Sequence, residues 1–510
     1  MSVSHLVPFL AVLPLGMAFL FVGLAHVRGG QRVVPGLAVL TVAANLVLAT
    51  ALIGVEVGPI FVGGWGAGKT LGIQLNCDGL AKFMAVTINL VALVSIVFAL
   101  AYMRRFTKVW LFHALFLLMT GAMNGLVLAG DLFNMFVFLE IAAIASYALV
   151  GFGCEAEELE AAFKYLILGT VGSAFVLVGI GILYAMTGHL NMGMVAATLA
   201  KVGTTGPAVL LAAAALLGGL ALKAAMVPFH AWLPDAHPSA PAPISAMLSG
   251  VLIKASGVYA LARVVFNVLG PNAPLATVLM ALGALSMVIG VFLAVGQWDF
   301  KRLLAYHSVS QMGYVVLALG AAADVLAVGG NRTVAGLCLF GGLFHLFNHA
   351  AFKSLLFLSS GALEQQVGTR WLKEMGGLAR RMPVTSFCCR VGALSIAGVP
   401  PFNGFFSKLI IIVGLAMAGH PVLAALAALV ALMTLVSFVK VQRYALEGEP
   451  AGDGAATARE APLLMGVAMA VLAVICIGGG LAMVPLGAHL LDPAREVLLD
   501  GAQALKEVLP

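Results

Sequence analysis

Apolar residues run along this chain in blocks of about twenty, divided by short polar or glycine- and proline-rich joints, and the blocks show no strict alternation. A helix rising 1.5 Å per residue needs about 20 residues to cross roughly 30 Å of hydrocarbon. Lipid gives a backbone polar group no partner outside a helix or a closed barrel, and a pattern without alternation selects the helix. The blocks therefore predict an all-α integral membrane protein. Spans are expected near residues 5–26, 33–53, 79–102, 110–129, 131–152, 163–187, 206–227, 243–268, 275–296, 303–323, 333–361, 385–418, 421–443 and 462–489, about fourteen in all. The first block lacks a basic start and is followed by further spans, so it reads as a retained helix and not as a cleaved signal.

Two embedded segments break this pattern. One runs from Lys223 through Pro228, His230, Pro234 and His237 to Pro238; the other runs from Gly398 through Pro400, Pro401 and Asn403 to Lys408. Proline removes a backbone donor and clashes with the preceding turn, so both segments are expected to interrupt a helix. Each places a Pro-Phe break near a lysine. Paired interruptions in the two halves of a transporter point to its ion path.

Several ionisable residues lie where hydrocarbon makes them costly, and such residues are usually functional. Glu140 sits midway along its span, Lys223 abuts the first break, Lys254 has apolar turns on both sides, and Lys408 follows the second break. The bland alternatives are a protonated glutamate satisfied locally and, for the lysines, snorkelling to the interface. His345, His349 and Lys353 recur every four residues and share one helix face. Two histidines at that spacing can hold zinc, but no Cys, Asp or Glu stands nearby and the third group is a cation. A polar relay is the better reading, with a packed polar stripe as the alternative, and no metal is expected. The tenth span opens with Lys301 and Arg302, read as an interface anchor, and with His307, which together with His230 and His237 is a candidate for an access path.

Composition narrows the class. Of 510 residues, 62% are hydrophobic and 9% charged, with a mean hydropathy of +1.09; soluble domains carry about 25% charged residues. The net charge of +6 reflects loop bias and does not suggest nucleic acid. Fifteen lysines and arginines, Lys301 among them, fall in loops after odd-numbered spans, against six, Arg263 among them, on the opposite side. The positive-inside rule then puts both termini outside the cytoplasm of a cell inner membrane, and the acidic turn holding Glu155, Glu157, Glu158 and Glu160 carries little weight in that rule. The six cysteines are scattered and read as small core residues. Gly63–Thr70 matches the phosphate-loop pattern G-x-x-x-x-G-K-[ST], but it lies in an external loop with no room for the strand and helix that such a loop needs, so it reads as a glycine-rich hairpin.

With these residues in place, the chain resembles the proton-conducting antiporter-like subunits shared by respiratory complex I, Mrp-type cation/proton antiporters and membrane-bound hydrogenases. The resemblance covers nearly the whole chain and is carried by Asp131–Tyr147, by Lys223–Ser249 with its Pro-Phe-His-Ala-Trp-Leu-Pro-Asp-Ala-His run, by Asp299–Tyr314 and by Pro400–Lys408. It implies fourteen helices, two inverted five-helix repeats, and broken seventh and twelfth helices. The parts are then an N-terminal segment 1–109, repeats 110–268 and 269–445, and a loop with a last helix, 446–510. It also implies a central polar axis on which Glu140 and Lys223 form the glutamate–lysine pair, Lys254 the bridge and Lys408 the terminal group, with His345, His349 and Lys353 joining the halves. Lysine at position 408 is closer to the D-type component of Mrp antiporters than to the M-type complex I component, which has glutamate there. About 20 residues follow the last span, so the long lateral helix of the largest complex I subunit is expected to be absent.

The function expected is proton translocation along this axis within a complex of other membrane subunits. The chain shows no cofactor motif, so electrons, or a sodium or potassium counter-ion, fall to partners. A lysine separated from its carboxylate holds its proton less tightly, and alanine at Lys223 or Lys254 is expected to stop proton movement. The competing reading is a non-conducting assembly subunit whose charges face its neighbours. Redox drive and cation exchange are not distinguishable from these residues.

Overall fold

The structure is a computed structural model and describes residues 3–62 and 72–508. The phosphate-loop-like Gly63–Thr70 thus lies outside the described residues. Apolar blocks become helices α1 Phe9–Leu24, α2 Gly30–Ala51, α3 Gly79–Tyr102, α4 Val109–Leu128, α5 Leu132–Val150 and α6 Ala156–Thr187. A short α7, Met192–Val202, precedes α8 Pro207–Lys223 and the seven-residue α9 Leu233–Ser239. Then come α10 Ala242–Leu269, α11 Ala273–Val295, α12 Phe300–Ala327, α13 Arg332–Val367, α14 Pro383–Ala397, α15 Asn403–Met417 and α16 Pro421–Leu446. Last are α17 Leu463–Gly478 and α18 Met483–Leu499, bent by 95° against each other.

Among the described residues, ten helices are long and apolar enough to cross a membrane, or eleven if α17 and α18 count as one span. Helices α1, α8, α14 and α15 are apolar but shorter. The expected fourteen therefore is not reached by helix length alone: the breaks shorten two expected spans, α1 is only 16 residues long, and α17 bends against α18. Side-chain caps fix several starts: Asp78 accepts from the backbone of Ala81, Asp131 from Asn134, Asn272 from Leu275 and Asp299 from Arg302, at 2.8–3.0 Å.

Burial is graded across the bundle. The most apolar stretch of α10 is wholly buried, whereas those of α2 and α16 are buried over only 33% of their residues. Helices α3, α4, α10, α12 and α13 make the centre, and the outer faces of α2, α6 and α16 expose valines and leucines of the kind that lipid would cover. Lys254 and Lys353 thus lie on central helices, whereas Lys223 and Lys408 are buried on α8 and α15, which pack against α10 and α13.

The repeat is visible in the backbone. Before α5, Asp131 bridges Asn191, Leu132 N–H donates to Leu190 O and Met192 N–H donates to Gly130 O. Before α12, Asp299 bridges Trp371, Phe300 N–H donates to Arg370 O and Leu372 N–H donates to Trp298 O. In both cases the bridge follows a long helix closed by a glycine in the left-handed region, Gly188 after α6 and Gly368 after α13. An odd number of crossings separates α5 from α12 when each broken pair counts as one, so the same construction recurs at opposite ends of the bundle.

Candidate functional site

The first break begins where α8 ends at Lys223. Residues 224–232 leave the helix, with Ala225 in the left-handed region and a cis bond between Val227 and Pro228. Buried backbone groups must find partners. Ser286 of α11 accepts from Val227 N–H at 2.9 Å, and the Trp232 indole donates to Leu222 O at 3.0 Å. Pro234, expected to help break the helix, instead occupies the first turn of α9. No amide hydrogen is needed there, so proline starts the helix and does not interrupt it.

At this break the Lys223 ammonium lies 3.4 Å from Glu140 Oε1 and 3.5 Å from the Tyr147 hydroxyl. The hydroxyl of Ser173 donates to the same Glu140 oxygen. Tyr165 stacks on Trp232 with centroids 4.1 Å apart and meets the edge of Tyr147, while Ser146 donates to its hydroxyl. The pair expected between Glu140 and Lys223 is therefore formed; an aromatic wall backs the buried Lys223, while the Glu140 side chain stays 27% exposed. Lys223 also sits at the C-terminal end of α8, where the helix dipole favours a cation.

Lys254 is fully buried. Helix α10 is π-helical over Leu248–Leu252, Lys254–Tyr259 and Arg263–Leu269. The ammonium donates back to the carbonyls of Ser249, at 2.5 Å, and Gly250, at 2.6 Å. Beside it the hydroxyls of Ser249 and Ser308 are 2.7 Å apart, joining α10 to α12.

His345, His349 and Lys353 stand on the buried face of α13, as their spacing predicts. His345 Nδ1 is 3.0 Å from the Ser407 hydroxyl; Lys353 donates to Leu304 O; the two histidine rings are 6.5 Å apart. Neither nitrogen of His349 or His307 has a protein partner among the described residues, nor does either polar atom of Gln311. No group of three His, Cys, Asp or Glu side chains there converges as a metal site would.

The second break, residues 398–402, carries a cis bond between Pro400 and Pro401. Asn403 restarts the chain as α15 and ties the break to α13: Asn348 donates to Asn403 O and accepts from Asn403 Nδ2, each at 3.0 Å. Lys408 is buried, donates to Ile396 O at 2.7 Å, and lies 5.1 Å from the Tyr314 ring centroid. Tyr314 in turn is 5.6 Å from His345. His237 is fully buried against Phe357, and His230 is half-buried near Tyr306.

Two charges assigned to loops belong elsewhere. Lys301 is buried and paired with Glu364 at 2.7 Å, so it is no interface anchor; Arg302 is exposed and paired with Asp235. Arg263 is also buried, 2.6 Å from Asp78. In both cases the carboxylate is remote in sequence, 63 and 185 residues away, and local pattern could not find it. Ser173, Tyr165, Trp232 and Tyr314 were missed for the same reason, although an aromatic beside an expected break is a signal for Trp232. Five cysteines are buried as expected, and Cys154 is exposed.

Comparison with known proteins shows the family of this fold. Residues 129–434 match the family described as NADH:quinone oxidoreductase/Mrp antiporter, transmembrane. The N component of the NADH-quinone oxidoreductase of Desulforudis audaxviator is 38% identical over 88% of this chain and 88% of its own. The D component of the Na(+)/H(+) antiporter of Alkalihalophilus pseudofirmus is 32% identical over 82% of each. A chain of the Mrp complex from Dietzia sp. DQ12-45-1b superposes with a TM-score of 0.89 at 27% identity, covering 100% of both chains. The span of these matches over both helix breaks places the chain in the NADH:quinone oxidoreductase/Mrp antiporter family of multi-pass membrane proteins.

Proposed function

We propose that this chain is the proton-translocating subunit of a multisubunit membrane complex, a cation/proton antiporter or a redox-driven pump. Protons move along Glu140, Lys223, Lys254, the face of His345, His349 and Lys353, and Lys408. One observation carries the reading: Lys254, Lys353 and Lys408 are buried and held by backbone carbonyls, with no carboxylate within ion-pair distance among the described residues. An unpaired buried charge costs several kcal/mol, whereas an amine that exchanges protons need not stay charged. A scaffold subunit would have no use for such groups in its interior.

The orphaned histidine nitrogens and Gln311 support hydrated connections, since buried polar groups without protein partners are usually satisfied by water. His230, His237 and His307 flank the axis and serve access. The positive-inside rule orients both termini away from the cytoplasm. Residues 110–268 and 269–445 act as the two half-channels, flanked by segments 1–109 and 446–510. Relatives named for NADH-quinone oxidoreductase and for Na(+)/H(+) antiport leave the drive to the partner subunits. The test is proton flux through the purified complex reconstituted in vesicles. Lys254→Ala and Lys408→Ala should lower it by about a hundredfold or more, the range of positioned proton-transfer groups; unchanged flux in both sinks the axis.

A further inference from the structure

We propose that Lys301 and Glu364 form a second proton-handling pair, an inlet that reaches Lys353 without passing Glu140 and Lys223; the proposal rests on the axis reading above. The pair is 2.7 Å apart, with the Lys301 side chain only 3% exposed and that of Glu364 21% exposed, near the end of α13. A buried ion pair is weak as a stabilising device compared with apolar side chains of the same size. Its position supplies a better reason. Glu364 and Lys353 are eleven residues apart on α13, about three turns, and so share a face. Phe357 stands between them, with the Lys353 ammonium 5.3 Å from its ring centroid and the His237 ring stacked on it at 4.5 Å.

His237 is fully buried, and neither ring nitrogen has a protein partner among the described residues. An imidazole can take a proton on one nitrogen and release one from the other. The Lys301 ammonium also donates to Ala240 O at 3.3 Å, the residue that ends the short helix carrying His237. Lysine, histidine and carboxylate are thus joined through one small segment. Next to it, Pro238 and Ser239 line a cavity of about 220 Å³ whose rim carries Asp235, Asp299, Arg302 and Arg370. The charged groups facing these residues are Lys254, Lys301 and Lys353 around His237, and Arg105 and Arg370 around Glu364.

A proton from solvent neutralises the Glu364 carboxylate, and Lys301 loses its counter-charge. Through an intervening water Lys301 gives a proton to one nitrogen of His237, and the other nitrogen gives its proton, again through water, to neutral Lys353. The ring then returns to its first tautomer by exchange with the same waters. Glu364 then returns its proton to Lys301, which restores the pair. One proton has moved from solvent to Lys353.

The experiment is proton flux in the reconstituted complex, with assembly followed by size-exclusion chromatography. Against the expectation from sequence that alanine at Lys223 stops proton movement, Lys223→Ala should keep a measurable part of wild-type flux, and adding Glu364→Gln should remove it. Lys301→Gln/Glu364→Gln leaves no unpaired charge and guards against misfolding; added to Lys223→Ala, it should have the same effect. The inlet is overturned if Lys223→Ala alone abolishes flux, or if the added substitutions leave its residual flux intact in an assembled complex. Failure of the axis itself reads differently, as unchanged flux in both Lys254→Ala and Lys408→Ala.

Discussion

At the scale of single residues, Trp232 has a position that charge patterns do not reveal. Its indole donates to Leu222 O, a carbonyl that also accepts from Ala225 N–H at 3.0 Å, and its ring backs Tyr165 behind the Glu140–Lys223 pair. Trp232→Phe keeps a ring but loses this second donor. It should cost about 0.5–1.5 kcal/mol, the net worth of one hydrogen bond, measured as a lower unfolding temperature of the solubilised protein. No change would mean that the Ala225 N–H alone satisfies Leu222 O. The charged members of the site were legible in sequence because each stands alone in an apolar block. Their partners were not. Nothing near Glu140 names Ser173, and nothing near Lys301 names Glu364, since those contacts depend on how helices pack.

At the scale of elements, the two breaks are held by different means. The first is fastened by a hydroxyl and an indole, from Ser286 and Trp232; the second by paired amides, Asn348 and Asn403. Ser286→Ala leaves Val227 N–H without its acceptor and should destabilise by about 1–3 kcal/mol. Wild-type stability in a thermal melt would show that the break does not depend on α11. Proline marked where each helix stops, because a missing donor is a local fact. It did not distinguish Pro234, which begins a helix, from Pro228, which lies between two, since that depends on where the next turn starts. Helix α7 and the π-helical turns of α10 also escaped notice: the first is too short to stand out, and the second keeps the same apolar composition as an α-helix.

At the scale of the whole molecule, the matching bridges at Asp131–Asn191 and Asp299–Trp371 mark the two repeats as inverted relative to each other. Their surroundings differ. Arg370 at one end contacts Asp299 at 2.6 Å and Glu157 at 2.8 Å, tying the second repeat to the first, while the other bridge carries no such ion pair among the described residues. The arrangement can be tested by labelling. With exposed Cys154 replaced by serine, a membrane-impermeant maleimide should modify His189→Cys and Thr369→Cys from opposite faces of sealed vesicles. Modification of both from one face would refute the inversion.

In helix α10, direction is a matter of counting. A π-helical turn closes between residues i and i+5, where an α-turn closes at i+4, and each residue of an α-helix advances its side chain by about 100°. The stretch Leu248–Leu252 therefore decides which way Lys254 points, and the two earlier stretches together decide it for Arg263. A single residue gained or lost upstream would aim the same lysine at a different neighbour, so within this helix length is as much a determinant of chemistry as the identity of the amine.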